Sequence, residues 1–218
     1  MAARDIHGVE APWGEFRHVG RKSRKVDGLA KATGAAVYTD DIVLPGMLHA
    51  KLLRSTQAHA RILSIDVTRA RRLPGVLGVL TGADLPTKYG ILPWTQDETA
   101  LAVGKVRHVG EPVAAVAAVD EDTANAAVKL IRVEYEPLHA YIDPFDSLAR
   151  HDPPIHEDHK TGNISKHVHL SFGEVDAALA GAYAVVEGDY FFHGTTHAPI
   201  EPHCAVARYG ADGVLTVW

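Results

Sequence analysis

The 218-residue sequence, of which 46% is hydrophobic, is long enough to bury a sizeable core as one large domain or two small ones. Its formal net charge of -5 gives no general attraction for nucleic acid or for an anionic membrane, so neither is expected as a partner. No apolar run could span a bilayer, no secretory signal is recognisable, and the single cysteine excludes an internal disulfide framework, so a cytoplasmic location is expected.

The first predicted region is an irregular N-terminal arm over residues 1–45, rich in glycine and basic side chains. No aromatic residues are interleaved with its charges, which favours a solvated or partner-covered arm over a phosphate-binding patch. The cations concerned are Arg17, Arg21, Lys22, Arg24, Lys25 and Lys31.

Residues 46–140 are predicted to form an α+β body. Three segments rich in aliphatic and β-branched residues, 48–55, 61–67 and 76–81, read as strands, and a short helix over 68–73 ends at Pro74-Gly75. The run 113–119 is apolar on both faces, which indicates a central strand. Acidic residues then open a helix over 124–130, followed by a strand over 131–135, so two strand–helix–strand units share one core.

A connecting loop is expected over residues 141–170, where Asp-Pro, Pro-Pro and Gly-Asn pairs interrupt regular structure. A short acid-capped helix over 173–181 follows. Strands are then predicted over 184–192, 204–209 and 214–218, the last two joined by a hairpin turn at 210–213. The region 171–218 is thus predicted to begin a mostly β domain that is incomplete here.

The loop histidines are the first candidate for chemistry, and they lie close to three acids. No HExxH, CxxC or similar frame organises them, so a surface loop without a metal site is predicted, with an independent His-rich metal hydrolase as the alternative. The residues are His151, His156, His159, His167 and His169, with Asp152, Glu157 and Asp158.

Nucleophilic and nucleotide-binding motifs are missing from the sequence. There is no GxSxG, P-loop or GxGxxG motif, and Cys204 lies in a strand-like run where a buried, inert thiol is expected. No catalytic residue is therefore assigned. His197, Glu201 and His203 interrupt the predicted strands beside two prolines, as polar groups at the mouth of a cleft do. A structural carboxylate at Glu201 is an equally good interpretation.

Several short motifs occur in a recognisable order along the chain. They are Val26-Asp27-Gly28, Lys31-Ala32-Thr33-Gly34, Tyr38-Thr39-Asp40-Asp41-Ile42, Leu53-Arg54-Ser55, Ala58-His59-Ala60-Arg61-Ile62, Thr81-Gly82-Ala83-Asp84-Leu85, Val109-Gly110-Glu111-Pro112, Val133-Glu134-Tyr135-Glu136-Pro137-Leu138, Gly173-Glu174-Val175-Asp176 and the HxPxEP motif of His197, Pro199, Glu201 and Pro202. This order resembles the large, molybdenum-binding subunit of the xanthine dehydrogenase and aldehyde oxidase family. Gly90-Ile91-Leu92-Pro93 and the 113–119 region are most similar to its aromatic acyl-CoA subgroup, which includes 4-hydroxybenzoyl-CoA reductase.

The resemblance implies an α/β hammerhead domain over 46–140 and the start of a molybdopterin-binding domain over 171–218. It implies an oxidoreductase complex that hydroxylates aromatic, N-heterocyclic or aldehyde substrates, or reductively dehydroxylates an aryl-CoA. The expected cofactors are molybdenum-molybdopterin in its cytosine dinucleotide form, bound mainly elsewhere, with [2Fe-2S] and FAD on partner subunits.

The sequence departs from the family pattern at its end. In the family, the strand that matches 215–218 continues into a Ser-Thr-Gln motif, a glycine-rich loop and, later, the catalytic glutamate, none of which occurs here. We therefore expect an N-terminal portion or split subunit, inactive alone, that packs against the remainder of the molybdenum subunit. His197, Glu201 and His203 would line or support the cleft. An assembly module without a catalytic role is the other alternative.

Overall fold

The computed structural model describes residues 24–150 and 152–218 of the chain. The chain divides into a larger unit, Pro45–Phe191, and a smaller unit that combines residues up to Leu44 with Phe192–Trp218. The cations Arg17, Arg21 and Lys22 and most of the predicted N-terminal arm lie outside the described residues. None of the helices in the described ranges has the length and apolar character needed to cross a membrane.

The larger unit contains six strands and four helices among its described residues. In chain order they are β1 (His49–Arg54), β2 (Ala60–Asp66), α2 (Thr68–Arg71), β3 (Val76–Thr81), β4 (Lys105–Val106), β5 (Pro112–Ala118), α3 (Glu121–Val128), β6 (Arg132–Pro137), α4 (Pro144–Ala149) and α5 (Val175–Ala180). The smaller unit holds α1 (Gly28–Ala32), a 3-10 helix (Thr39–Asp41), β7 (Ala207–Tyr209) and β8 (Leu215–Val217).

Strand β5 is the centre of the first sheet, whose antiparallel order is β1-β5-β3. Its residues Val113, Ala114, Val116 and Ala118 are buried, because both of its faces are covered. The predicted central strand is therefore confirmed. Ala117, in the middle of β5, is paired with Ala50 of β1 and with Gly78 of β3.

The second sheet is also antiparallel and has the order β4-β2-β6. The predicted strand–helix–strand segments are present, but each helix links two different sheets: α2 connects β2 to β3, and α3 connects β5 to β6. Since every pairing is antiparallel, neither segment is a parallel crossover within one sheet. The predicted α+β class is confirmed.

Helix α3 begins where the acidic sequence predicts. Asp120 is its N-cap, with an Oδ1 that accepts a hydrogen bond of 2.7 Å from the backbone N–H of Thr123. The helix buries Ala124 and Ala127 against β1 and β5. Small side chains on this face let the helix backbone approach the sheet closely, while the larger buried side chains Val79 and Val116 come from strands and Ile131 from the residue before β6.

Two predictions for the loop regions are wrong in part. Helix α4 lies inside the predicted 141–170 loop, because Asp143 accepts a hydrogen bond from Phe145 N–H and Pro144 occupies the first turn, where its missing N–H costs nothing. Helix α1 and the 3-10 helix likewise lie inside the predicted irregular arm.

The last third of the chain contains less regular structure than predicted. Helix α5 and the β7–β8 hairpin are present, but residues 184–192 form no strand, and β7 begins three residues later than predicted. An extended segment without a neighbouring strand has no ladder of backbone hydrogen bonds to stabilise it. Every residue from 165 to 205 is exposed.

Candidate functional site

Buried basic residues of the larger unit anchor the loop at 152–165. The side chain of Lys105 on β4 is 5% exposed, and its Nζ donates hydrogen bonds to Pro154 O at 2.7 Å and to Glu157 Oε1 at 2.6 Å. Burial lowers the pKa of Lys105, while the ion pair with Glu157 opposes this shift. Arg107, two residues on, donates from Nε to Ile155 O at 3.1 Å. The histidine loop is thus fixed against the second sheet.

Two of the loop histidines meet a carboxylate from another part of the sequence. Nδ1 of His156 lies 2.5 Å and Nε2 of His159 lies 3.2 Å from Oδ2 of Asp97. The two imidazole rings stack, with centroids 4.9 Å apart and planes at 12°. Burial lowers the pKa of His156, although the Asp97 carboxylate opposes it. The three side chains offer ligand atoms within 4.8 Å of one another.

Sequence reasoning missed Asp97 because it considered only the acids within the loop. Asp97 precedes Glu98, whose backbone pairs with Tyr89 in an isolated antiparallel bridge, and this pairing positions the carboxylate. The only sequence signal for this cluster is the spacing of His156 and His159, which are three residues apart. His167 and His169 of the same predicted group are exposed and lie outside this cluster, and His151 lies outside the described residues.

His59, His139 and Tyr141 form a second cluster, which contacts the start of the histidine loop at Pro153. His59 is 4% exposed, and its Nδ1 lies 2.6 Å from the carbonyl oxygen of His139, so this nitrogen carries the proton. The Nε2 atom of His59 is buried and has no hydrogen-bond partner among the described residues. Burial lowers the pKa of His59, which keeps the ring neutral. Tyr141 packs beside both rings and donates to Pro153 O at 2.7 Å.

The predicted cleft residues His197, Glu201 and His203 lie in an extended, exposed segment of the smaller unit. A local turn shapes this segment: Ala198 N–H donates to Thr196 Oγ1 at 3.3 Å, and Ala198 has a φ of 43°. The structure does not bring the three predicted side chains into one enclosed site. Glu201 acts on Lys31 only as the weakest of several charges that raise the pKa of Lys31, the hydrogen bond to Asp27 being the largest cause.

The prediction of a buried Cys204 is wrong. The thiol is exposed, because β7 begins only at Ala207 and no sheet covers the residues before it. Its Sγ lies 3.7 Å from Oδ1 of Asp40. Desolvation by its neighbours and then the Asp40 carboxylate raise the pKa of Cys204, so the thiolate that a nucleophile needs is disfavoured.

Comparison with known families divides the chain into two matched parts. A family model described as "Aldehyde oxidase and xanthine dehydrogenase, a/b hammerhead domain" matches residues 33–139. A second, described as "Molybdopterin cofactor-binding domain", matches residues 155–218. The hammerhead match contains both three-stranded sheets. The cofactor-binding match contains His156, His159 and the exposed residues 165–205.

Individual proteins give the same result. The chain is 39% identical over 205 residues to the nicotinate dehydrogenase large molybdopterin subunit of Eubacterium barkeri, covering 93% of this chain and 47% of that protein. It is 39% identical to the xanthine dehydrogenase molybdenum-binding subunit of Escherichia coli O157:H7, covering 88% of this chain and 27% of that one. Quinoline 2-oxidoreductase from Pseudomonas putida 86 superimposes with a TM-score of 0.78 at 34% identity, covering 91% of this chain and 26% of that one.

The chain therefore spans between about a quarter and about half of the length of these relatives. The order of the two matched domains is the order that the sequence motifs predict, and the antiparallel sheets of the larger unit lie within the first of them. The chain belongs to the aldehyde oxidase and xanthine dehydrogenase family, and it matches the hammerhead domain and, after it, the molybdopterin cofactor-binding domain.

Proposed function

We propose that this chain is a structural part of a molybdenum-dependent hydroxylase or dehydrogenase, and that it acts only together with the remainder of the molybdenum subunit. The order of the two matched domains supports this. We keep the division into an arm (1–45), a hammerhead domain (46–140), a connecting loop (141–170) and an incomplete cofactor-binding domain (171–218) as part of the proposal.

The observation that carries the proposal is the number of exposed apolar side chains in each unit between residues 165 and 205. Phe172 is 84% exposed, Tyr190 94% and Ile200 100%. Burying apolar area is worth roughly 25 cal/mol per Å², so leaving this many large side chains in water is unfavourable. Large exposed apolar patches on soluble proteins mark interaction sites. We infer that another polypeptide segment, the remainder of the molybdenum subunit, covers these side chains.

The described residues do not by themselves fit the molybdopterin cofactor. His197, Glu201 and His203 are exposed, and no buried polar atom without a partner is found in the described part of the smaller unit. When bound, the cofactor supplies the redox chemistry at the substrate carbon. In the proposed complex this chain contributes one wall of the cleft. His197, Glu201 and His203 would support that wall, with Pro199 and Pro202 restricting the backbone on either side of Glu201.

We propose an N-heterocycle as the substrate class, since three of the similar proteins are named for nicotinate, xanthine and quinoline. The cytosine dinucleotide form of the cofactor and the [2Fe-2S] and FAD partner subunits are carried over from the family resemblance and belong to the same proposal. The aryl-CoA subgroup and an aldehyde substrate stay predictions from the sequence.

The decisive experiment is co-expression of this chain with the product of the neighbouring reading frame. We expect the two polypeptides to co-purify with molybdenum, and the complex, but neither part alone, to oxidise an N-heterocycle with a dye as electron acceptor. Turnover by the isolated chain, or a neighbouring frame whose product neither binds this chain nor carries the Ser-Thr-Gln and glycine-rich motifs, would contradict the proposal.

One substitution in the reconstituted complex distinguishes a chain that supports the cleft from a pure assembly module. If Glu201 supports the cleft, Glu201→Ala lowers turnover while the complex stays assembled. Glu187→Ala is the matched control, because Glu187 is an exposed carboxylate in the same segment without flanking prolines. If both variants turn over like the wild type, the chain has an assembly role only.

A further inference from the structure

We propose that Asp97, His156 and His159 bind a divalent transition metal of the Zn²⁺ type. The inference does not depend on the proposed function of the complex. Two imidazoles and one carboxylate are ligands that Zn²⁺ accepts, and three protein ligands leave a fourth position for water. Bound there, the metal would tie the histidine loop to the segment that carries Asp97.

The spacing of the ligand atoms carries the proposal. Two ligands in a tetrahedral zinc site, each about 2.0–2.1 Å from the metal, lie about 3.3 Å apart. Nε2 of His159 and Oδ2 of Asp97 are 3.2 Å apart. Nδ1 of His156 and the same oxygen are 2.5 Å apart, and all three ligand atoms lie within 4.8 Å of one another, so coordination requires shifts of about 1 Å and a turn of the stacked rings toward the ion. The rotation of an imidazole about its side-chain bonds is enough for that.

The Asp97 oxygen is also left without an adequate partner. Oδ2 is buried, and neither imidazole approaches it in the direction that a hydrogen bond requires. A buried carboxylate oxygen without a hydrogen bond is costly, and such an atom in a native structure points to an ion or a water. A metal ion bound between the three side chains would satisfy this oxygen and both ring nitrogens together.

The charged groups around the cluster are already paired with one another. Lys88 pairs with Asp158, and Glu157 is shared by Lys105 and Arg107. Asp97 has no Lys or Arg partner among the ion pairs of the described residues, so its negative charge is available to a cation. These paired cations therefore leave the carboxylate free to act as a ligand.

The cluster is also accessible from solvent. A surface cleft of about 390 Å³ runs beside Asp97, His156 and His159 and is bordered by Asn163 and Ser165. The side chain of His156 is 34% exposed, and that of His159 is 16% exposed. A metal ion has an entry path, and there is room for a water molecule as its fourth ligand.

The test is a Zn²⁺ titration of the metal-free full chain at pH 7.5, in competition with a chromophoric chelator. We expect one equivalent to bind, and Asp97→Asn, His156→Gln and His159→Gln each to weaken binding by more than about tenfold, since even a change behind a metal ligand costs 10–100-fold. His167→Gln and His169→Gln are the matched controls from the same stretch and should bind as the wild type does. Equal losses in the controls would mean scattered surface binding and overturn the proposal.

Chemical modification of histidines in the wild-type chain, with and without Zn²⁺, tests the site even if a cluster variant does not fold. Diethyl pyrocarbonate modifies accessible neutral imidazoles, and tandem mass spectrometry assigns the modified histidines in the peptides that follow Arg150 and Lys166. Zn²⁺ should protect His156 and His159 but leave His167 and His169 reactive. Failure of the wild type to bind Zn²⁺, or equal protection of all four histidines, would show that the cluster is not a metal site.

Discussion

The sheets of the larger unit and the segment 165–205 both contain many apolar residues, but only the sheets bury them. Val106, Val113 and Val116 are at most 1% exposed, whereas Val186 is 90% exposed and Phe172 is 84% exposed. The sheets have helices and strands from the same chain to cover them. The segment has no such cover among the described residues. Local hydrophobicity is therefore a poor guide to burial where the described residues supply no covering surface.

The comparison is tested most severely by placing the same charge in both regions. Val116→Asp puts a carboxylate in the centre of β5 without a partner, and we expect it to lower the free energy of unfolding by about 3–5 kcal/mol. Val186→Asp, on the exposed segment, should change it by less than about 0.5 kcal/mol. Urea denaturation followed by circular dichroism measures both. Equal destabilisation by the two variants would show that the segment is packed.

Gly78 within β3 and Gly82 just after its end allow a tightly packed and an open position of the larger unit to be compared. A Cβ on Gly82 would lie 2.3 Å from the backbone oxygen of Ala102, whereas a Cβ on Gly78 would meet nothing within 4 Å. We expect Gly82→Ala to destabilise the chain by about 1–3 kcal/mol, because the backbone of Ala102 must move. Gly78→Ala should be neutral or slightly stabilising. A loss of thermal stability in Gly78→Ala as large as that in Gly82→Ala would refute the close approach.

A substitution among the exposed residues 165–205 should affect binding to the proposed remainder of the molybdenum subunit and not the stability of the chain. Phe172→Asp is expected to leave the urea midpoint of the isolated chain unchanged but to weaken binding to the remainder of the molybdenum subunit by at least about tenfold. Isothermal titration with the product of the neighbouring frame measures this. Asp176→Asn, an exposed substitution on α5, is the control. Unchanged affinity of Phe172→Asp would remove Phe172 from the proposed interface.

The smallest expected effect is the pH dependence that His59 gives to the larger unit. Its pKa in the folded chain is lowered by burial, so the unfolded chain binds more protons over the window between this pKa and the ordinary value of 6.5. The stability due to neutral His59 is therefore present above pH 6.5 and is lost as the pH falls through the folded pKa. His59→Gln should show a smaller fall in urea midpoint between pH 7.5 and 5.5 than the wild type. His169→Gln, at an exposed position, should behave as the wild type does.

Most of the larger unit could be predicted from sequence because its signals are local. The apolar run at 113–119 identified the central strand, and Asp120 identified the start of α3 through a cap that needs only neighbouring residues. Helix α4 carries the same kind of signal, Asp143 followed by Pro144, but the Asp-Pro and Pro-Pro pairs nearby favour a loop in the sequence prediction.

The site was harder to predict because its members are distant in sequence. His156 and His159 lie about 60 residues after Asp97, and nothing in the sequence pattern connects them. The strand predicted at 184–192 and the first three residues of the strand predicted at 204–209 are absent for a related reason. Strand formation depends on a partner, and the sequence of the segment alone does not state whether one is present.

The sequence by itself determined the α+β class, the central strand, the cap of α3 and, through the order of its motifs, the family. These features depend on residues close together in the chain or on a pattern read along it. Only the tertiary structure decided that α2 and α3 each join two sheets, that Asp97 meets the loop histidines, and that residues 165–205 stay exposed. Each of these depends on contacts between distant residues, or on their absence, and the free energy of such contacts is not written in local sequence.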